Sequence, residues 1–228
     1  MSGTLSENTA LNIIRSRRKT LCLQVSRPGQ VIVRAPLRCS ESRINTFVKQ
    51  HREWIEKQLD YHRNNPGLPV PEYRPNTRVW LLGKSYLIVW EYNSHNEIEL
   101  TDSTVVVRSR QLDPERIAKR VEKWLREYAL AYFTARSDDI ANTSPTDLPA
   151  YVCKVRKMKR QWGNCSRKGE IKYNLSLIHY PTECIDYVIA HELCHLLHFN
   201  HSRAFYGLLS QLCPDWRERK VKLETFSP

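Results

Sequence analysis

Leu21, Leu23 and Val25 alternate with polar neighbours, the period-two pattern of a half-buried strand. Pro28-Gly29 supplies a turn, and residues 31–34 read as the returning strand, ended by Pro36 and Ser40. From Ser42 the period lengthens. Ile44, Phe47, Val48, His51, Ile55 and Leu59 fall on one stripe, which predicts a single helix stopped by Asn64-Asn65-Pro66-Gly67. Pro66, Pro69, Pro71 and Pro75 then make an extended connector. Short β-prone runs follow at 79–82, 86–90, 97–100 and 105–107, with turns at Gly83-Lys84 and Asp102-Ser103.

Asp113-Pro114 is a helix start, a capping oxygen followed by proline at the first helical position. Ile117, Val121, Trp124, Leu125, Tyr128 and Tyr132 form the apolar stripe of that helix. After a loop with Pro145 and Pro149, residues 151–156 and 170–178 read as strands around a loop over 162–169. Pro181-Thr182 opens a further helix, with Glu183 and Asp186 near its positive N-terminal end and Ile185, Val188, Ile189 and Leu196 as apolar positions. The pattern is α+β. It divides into a β-rich N-terminal lobe with one helix, residues 1–110, and a second domain, residues 111–228.

Length and composition narrow the class. The 228 residues are enough for a substantial core, and 41% hydrophobic content excludes a disordered chain. No apolar run approaches the ~20 residues that span a bilayer, so no membrane partner is expected. Residues 1–9 lack a basic-then-apolar export signal. Seven scattered cysteines without a CxxC pair point to a reduced, cytoplasmic protein. The net charge is +12, and residues 154–172 carry eight basic side chains against one acid, Glu170. Such a band suits acidic or nucleic-acid-bound substrates, or is simply a solvated face. Lys159, Arg160 and Lys172 belong to it. Lys172 and Asn174 also lie on the 170–178 strand, which as an edge strand would accept a peptide by main-chain hydrogen bonds.

The chemistry sits in His191-Glu192-Leu193-Cys194-His195, the HExxH pattern. Histidines four apart on a helix share a face, so both imidazoles reach one ion, and the glutamate beside the first reaches a water on that ion. A catalytic zinc takes a third protein ligand. His198 shares the face but lies about 10.5 Å of helix rise from His191, too far for both to hold one ion. His201 reaches it only if the chain turns sharply after residue 198, and Asn200 suits a left-handed helix end there. His201 is therefore the chosen ligand and His198 a flanking group. Asp215, Glu218 and Glu224 are the rival carboxylates. Tyr206, Tyr187 and His198 are the candidate oxyanion donors. Cys194 reads as a small buried residue and Trp162 as a loop anchor.

Several stretches together resemble the YgjP-like metallopeptidases, relatives of the SprT-like and WLM zinc peptidases. They are Arg17-Arg18-Lys19-Thr20 to Val33-Arg34-Ala35-Pro36, Trp162-Gly163-Asn164-Cys165-Ser166, the HExxH helix from Asp186, Asn200-His201-Ser202 with Phe205, and Pro214-Asp215-Trp216. Gln161 and Asn164 depart from the usual arginine and serine. The resemblance implies a zincin-like catalytic domain behind the N-terminal lobe. One zinc ion would sit on His191, His195 and His201, with Glu192 as general base, in a metalloendopeptidase acting on proteins or peptides. SprT-like relatives act on DNA-attached proteins, which extends the candidate partners to nucleic-acid-bound substrates. Two readings of other classes stand beside it. One is a basic nucleic-acid-associated protein with a structural zinc. The other is a metal-dependent hydrolase of a non-peptide bond.

Overall fold

The computed structural model describes residues 11–26, 30–64 and 72–226. The turn expected at Pro28-Gly29, the stop at residues 65–67, most of the proline connector and the N-terminal nine residues lie outside them. Two compact units divide the chain, one from residues 1–69 with 225–228, the other from residues 70–224. Residue 110 falls inside the second unit, between the last strand of its first sheet and its longest helix.

In the first unit, β1 (Leu11–Ser16), β2 (Cys22–Ser26) and β3 (Gln30–Pro36) form a sheet of order β1-β3-β2, with β1 parallel and β2 antiparallel to β3. β3 alternates as a half-buried strand should, with Val31, Val33 and Ala35 inside. Ile44 packs on that face together with Leu21, Leu23, Cys39 and Val48. β1 had no signal of its own, because its side chains are mostly exposed and its place comes from the ladder to β3.

The single helix expected after Ser42 is instead two, α1 (Glu41–Gln50) and α2 (Arg52–Asn64). The break is His51, whose ring Nδ1 bonds the Phe47 carbonyl at 2.8 Å. That is the carbonyl the His51 amide would take in a continuous helix, and the amide closes onto Val48 and Lys49 instead. Ser40 caps α1 by accepting from the Arg43 amide.

The second unit opens with β4 (Arg78–Leu81), β5 (Lys84–Tyr92), β6 (Glu97–Leu100) and β7 (Thr104–Ser109), in the order β4-β5-β7-β6. β5 and β7 are parallel and the outer pairs antiparallel. The β4–β5 turn is Leu82-Gly83, one residue earlier than expected, with φ of 51° and 78°. A Cβ on Gly83 would come within 2.8 Å of the Pro181 Cα, so this hairpin packs against the entry to the helix that carries the HExxH pattern. The Leu82 amide donates to the Ile178 carbonyl at 2.8 Å, and buried His179 bonds the Trp80 carbonyl at 2.6 Å.

α3 (Pro114–Ala141) starts where Asp113 caps it, accepting from the Arg116 amide at 2.9 Å. Its buried positions are Ile117, Val121, Leu125, Ala129, Phe133, Ser137 and Ile140, while Trp124, Tyr128 and Tyr132 flank that stripe half-buried. The third sheet holds β8 (Val152–Arg156), β9 (Gly163–Cys165) and β10 (Glu170–Asn174), in the order β8-β10-β9. Two expectations change here. The strand read over 170–178 ends at Asn174 and passes into a 3-10 turn, Leu175–His179. It is also the central strand, so neither edge of β10 is open to a peptide; the edge strands are β8 and β9, the latter inside what read as a loop.

Asn174 accounts for the stop. Its Oδ1 accepts from the Ser176 and Met158 amides, at 3.2 and 3.3 Å. Its Nδ2 donates to the Met158 and Gln161 carbonyls, at 2.8 and 3.1 Å. The Asn174 side chain thus staples the 158–162 loop.

α4 (Thr182–Cys194), α5 (Arg203–Leu212) and α6 (Trp216–Phe226) complete the unit. Three helices meet at Asp186 on α4. Its carboxylate accepts two bonds from Arg136 on α3, at 2.7 and 3.0 Å, and lies 3.4 Å from Arg219 on α6. The bond to Asp186 holds the Arg136 guanidinium pKa above its ordinary value. Asp186→Ala leaves two cations facing each other in a largely shielded site. The expected loss is about 2 kcal/mol, read as a fall in Tm of roughly 4–8 °C by calorimetry. An unchanged Tm would show that the network contributes nothing net.

Candidate metal centre

α4 is buried nearly all round through Cys184, Ile185, Val188, Ile189, Ala190, Leu193 and Cys194, which fixes its rotation and depth. His191 sits in its last turn and His195 caps it while keeping helical dihedrals. The four-residue spacing therefore holds, and the two Nε2 atoms lie 3.2 Å apart. The His195 Nδ1 bonds the His198 main-chain carbonyl at 2.9 Å. That bond places the proton on Nδ1 and leaves the Nε2 lone pair facing its neighbours.

The chain leaves the helix earlier than the spacing argument required, at Cys194 and not after residue 198. Among the described residues, Asn200 does not adopt a left-handed conformation; only Asn76 and Leu82 do so apart from glycines. Ser202 caps α5 through the Phe205 amide, and this start of α5 carries His201 back to the helix. The His201 Nε2 lies 3.1 Å from that of His191. One nitrogen from each of the three histidines falls within 4.8 Å of the others. The Phe205 ring backs all three imidazoles, with centroids at 5.0, 4.8 and 4.7 Å from His191, His195 and His201.

The donor set fits a zinc ion. Tetrahedral ligand nitrogens at ~2.1 Å from a metal stand ~3.4 Å from one another, close to the separations seen here. Three converging imidazole acceptors also repel unless a cation or a proton lies among them. Burial first, then the neighbouring His195, His201 and Lys220, push the His191 pKa down to about 4, and burial lowers that of His195. Both rings are neutral, hence ligand-ready, at pH 7.

Glu192 faces a different environment. The residue is 5% exposed, its Oε2 has no hydrogen-bond partner among the described residues, and burial pushes its pKa up to about 8. The backbone of β9 closes over it. A Cβ on Gly163 would stand 2.7 Å from both Cγ and Oε1 of Glu192, so only glycine permits this approach. A cavity of about 190 Å³ is lined by Trp162, Gly163, Tyr187, Val188, His191 and Glu192, among others. The carboxyl and an imidazole thus border the same small space.

The remaining sequence candidates divide. Tyr187 borders the cavity, 6.0 Å ring to ring from His191, and burial raises its hydroxyl pKa to about 12. Tyr206 is exposed, 6.2 Å from His201 and stacked on Trp216 at 5.2 Å. His198 contributes its main-chain carbonyl to His195. Asp215 pairs with Arg219 at 2.8 Å and Glu224 with Lys220 at 3.8 Å; neither they nor Glu218 join the histidine group. Trp162 packs edge-on against Tyr180 at 4.7 Å, as a loop anchor does. Lys172 pairs with Glu170 at 2.6 Å, while Lys159 and Arg160 are exposed on the loop that Asn174 staples. Gly163 and Phe205 stand in the sequence only as parts of longer motifs. Nothing in spacing or composition reveals that one covers the carboxyl and the other backs the imidazoles.

The model of the YgjP-like metallopeptidase domain family matches residues 19–226. The chain belongs to the YgjP-like metallopeptidase family. Two crystal structures of metallopeptidase zymogens are similar over part of the chain. Abylysin of Pyrococcus abyssi is 20% identical over 41% of this chain and 92% of its own, with a TM-score of 0.38. Jannalysin of Methanocaldococcus jannaschii is 18% identical over 40% and 96%, with a TM-score of 0.34. No curated protein matches this YgjP-like chain. Among its described residues no helix is long and apolar enough to cross a membrane.

Proposed function

We propose that this protein is a zinc-dependent metalloendopeptidase, with one zinc ion held by His191, His195 and His201 and with Glu192 as general base. The observation that carries the reading is the convergence of three imidazole nitrogens beside a buried carboxyl whose Oε2 has no partner among the described residues. Bound zinc would supply a Lewis acid that polarises the scissile carbonyl and makes water a nucleophile at neutral pH. The work of this chain's own groups follows from their places. Glu192 Oε2, free of any donor among the described residues, takes the proton of the attacking water and returns it to the leaving amine nitrogen. A cation held by the histidines favours its ionised form, against the burial that raises its pKa. Tyr187, protonated at neutral pH and bordering the same cavity, is the hydroxyl assigned to the developing oxyanion, with the exposed Tyr206 as the second candidate.

On this reading the zincin-like catalytic part is residues 111–228, with residues 1–110 as the β-rich lobe before it. The cysteines at all seven positions are unpaired, which supports a reducing, cytoplasmic setting. The test is metal analysis together with digestion of casein and of an unbiased peptide library, by wild type and by Glu192→Gln. Peptide cleavage that disappears while zinc stays supports the reading. Bound zinc without any peptide product would leave a non-peptide hydrolase or a structural zinc in its place.

Gly163 gives a separate check. Gly163→Ala drives a methyl into the Glu192 side chain, which must swing away from its present place. The expected result is at least a roughly tenfold fall in kcat with zinc content and KM little changed, since misplacing a proton acceptor by ~1 Å costs up to ~10²-fold. Full activity in Gly163→Ala would show that the carboxyl works from another position.

A further inference from the structure

The charge excess is not confined to the band before α4. Residues 1–69 carry twelve Lys and Arg against five Asp and Glu, a net +7. In the band, acids take up part of the charge: Lys154 and Lys172 both meet Glu170, and Lys157 meets Glu122. The first unit disposes of its acids differently. Glu56 pairs with Arg52 and Asp60 with Arg63, both within α2, which leaves the cations of the 17–19 loop and α1 without acidic partners among the described residues.

Those cations frame a pocket of about 440 Å³ lined by Lys19, Thr20, Leu21, Arg43, Thr46, Phe47 and Gln50. No carboxylate lines it. Arg43, Thr46, Phe47 and Gln50 stand at i, i+3, i+4 and i+7, one face of α1, distinct from the Ile44 and Val48 stripe that packs on the sheet. The Thr46 hydroxyl donates to the Ser42 carbonyl, so the donors left to a ligand are Lys19, Arg43, Gln50 and Thr20. Phe47 is half-buried and held by the His51 ring at 4.3 Å, the same histidine that ends α1. Beside Lys19, the Nε of Arg18 is shielded from solvent and has no hydrogen-bond partner among the described residues.

We propose that this pocket seats a nucleotide unit of a single-stranded nucleic acid, with phosphate on Lys19 and Arg43 and a base on Phe47. The chemistry selects the class. Separate cations, with no acid among them, match a repeating phosphate charge. A fixed aromatic ring lining the same pocket needs a base free of its own stack, which a single strand offers and a duplex does not. Arg17 before the pocket in sequence, and Lys49 one turn past Thr46 on α1, extend the cationic track beyond one phosphate, which a strand uses and a free nucleotide does not.

The test is fluorescence anisotropy of the full chain with a labelled oligothymidylate at several salt concentrations, read without cleavage and so independent of the hydrolytic reading. Lys19→Gln with Arg43→Gln is expected to weaken binding at least roughly tenfold and to flatten the log–log salt slope by about 1.4, two phosphates' share. Lys84→Gln with Lys119→Gln removes the same charge elsewhere and is expected to leave affinity within about twofold. Phe47→Leu, which keeps the apolar volume, is expected to lose about fivefold or more. Circular dichroism melting checks that each variant is folded. Equal weakening by the two double variants would overturn the proposal, as would undiminished binding by Phe47→Leu. Displacement of the strand by thymidine triphosphate at equal phosphate concentration would assign the pocket to a free nucleotide and overturn it too. So would anionic vesicles bound with the same dependence on Lys19 and Arg43.

Discussion

Glu192→Gln is expected to lower peptide cleavage by about 10²–10⁴-fold, the usual contribution of a positioned base, while zinc content stays at the wild-type level. The amide has the shape of the carboxyl, so the fit under Gly163 survives and the imidazoles keep their places. What disappears is the ability to take a proton. Stability should move the opposite way. A carboxyl whose native pKa is about 8, against 4.5 unperturbed, binds its proton more tightly folded than unfolded. Its contribution is fully present below about pH 4.5 and is lost as pH rises towards 8. In the metal-free protein at pH 7, glutamine removes a penalty on the order of 3 kcal/mol. Metal-free Glu192→Gln should therefore melt higher than metal-free wild type at pH 7, and the difference should vanish near pH 4. Full zinc with unchanged cleavage would remove Glu192 from the mechanism, and equal melting points at pH 7 would show that its carboxyl is not strained by burial.

The same residue shows where sequence reasoning stops. Local rules carried the parts of the fold that depend on a few neighbours. Asp113 before Pro114 marks a cap, and Val31, Val33 and Ala35 follow the period of the strand they occupy. The spacing of His191 and His195 carries geometry because a helix repeats every 3.6 residues. The failures are tertiary. β1 exists through its ladder to β3, not through burial of its side chains, so no alternation announces it. The end of β10 is decided by four hydrogen bonds that Asn174 makes to residues 158, 161 and 176, and the position of β9 by its pairing with β10. Gly163 matters because of a carboxyl 29 residues further along the chain, a relation no window of sequence contains. The break at His51 lies between these cases. Its hydrogen bond is local, but a histidine that continues the apolar stripe gives no sign that its ring will take the Phe47 carbonyl.

His201→Ala and His198→Ala separate the two histidines that follow the helix. Removing the His201 imidazole takes one of three converging nitrogens from the cluster, and the loss of zinc affinity should exceed the ~10–100-fold typical of changes to groups that merely orient a ligand. Alanine at 198 keeps the main-chain carbonyl that bonds His195 Nδ1, so that variant should retain zinc after dialysis against a chelator and retain its cleavage. Metal analysis and chelator competition read both. The pH dependence adds a sign. His191 is held near 4 and His195 is also lowered, so protons compete for the metal site at lower pH than for free imidazole near 6.5. Zinc should thus stay bound to wild type through pH 6, with affinity falling only on further acidification. His201→Ala should release it already at neutral pH, since two nitrogens alone make a weaker and more open site. Zinc kept by His201→Ala but lost by His198→Ala would reverse the assignment and require the chain after Cys194 to take another path.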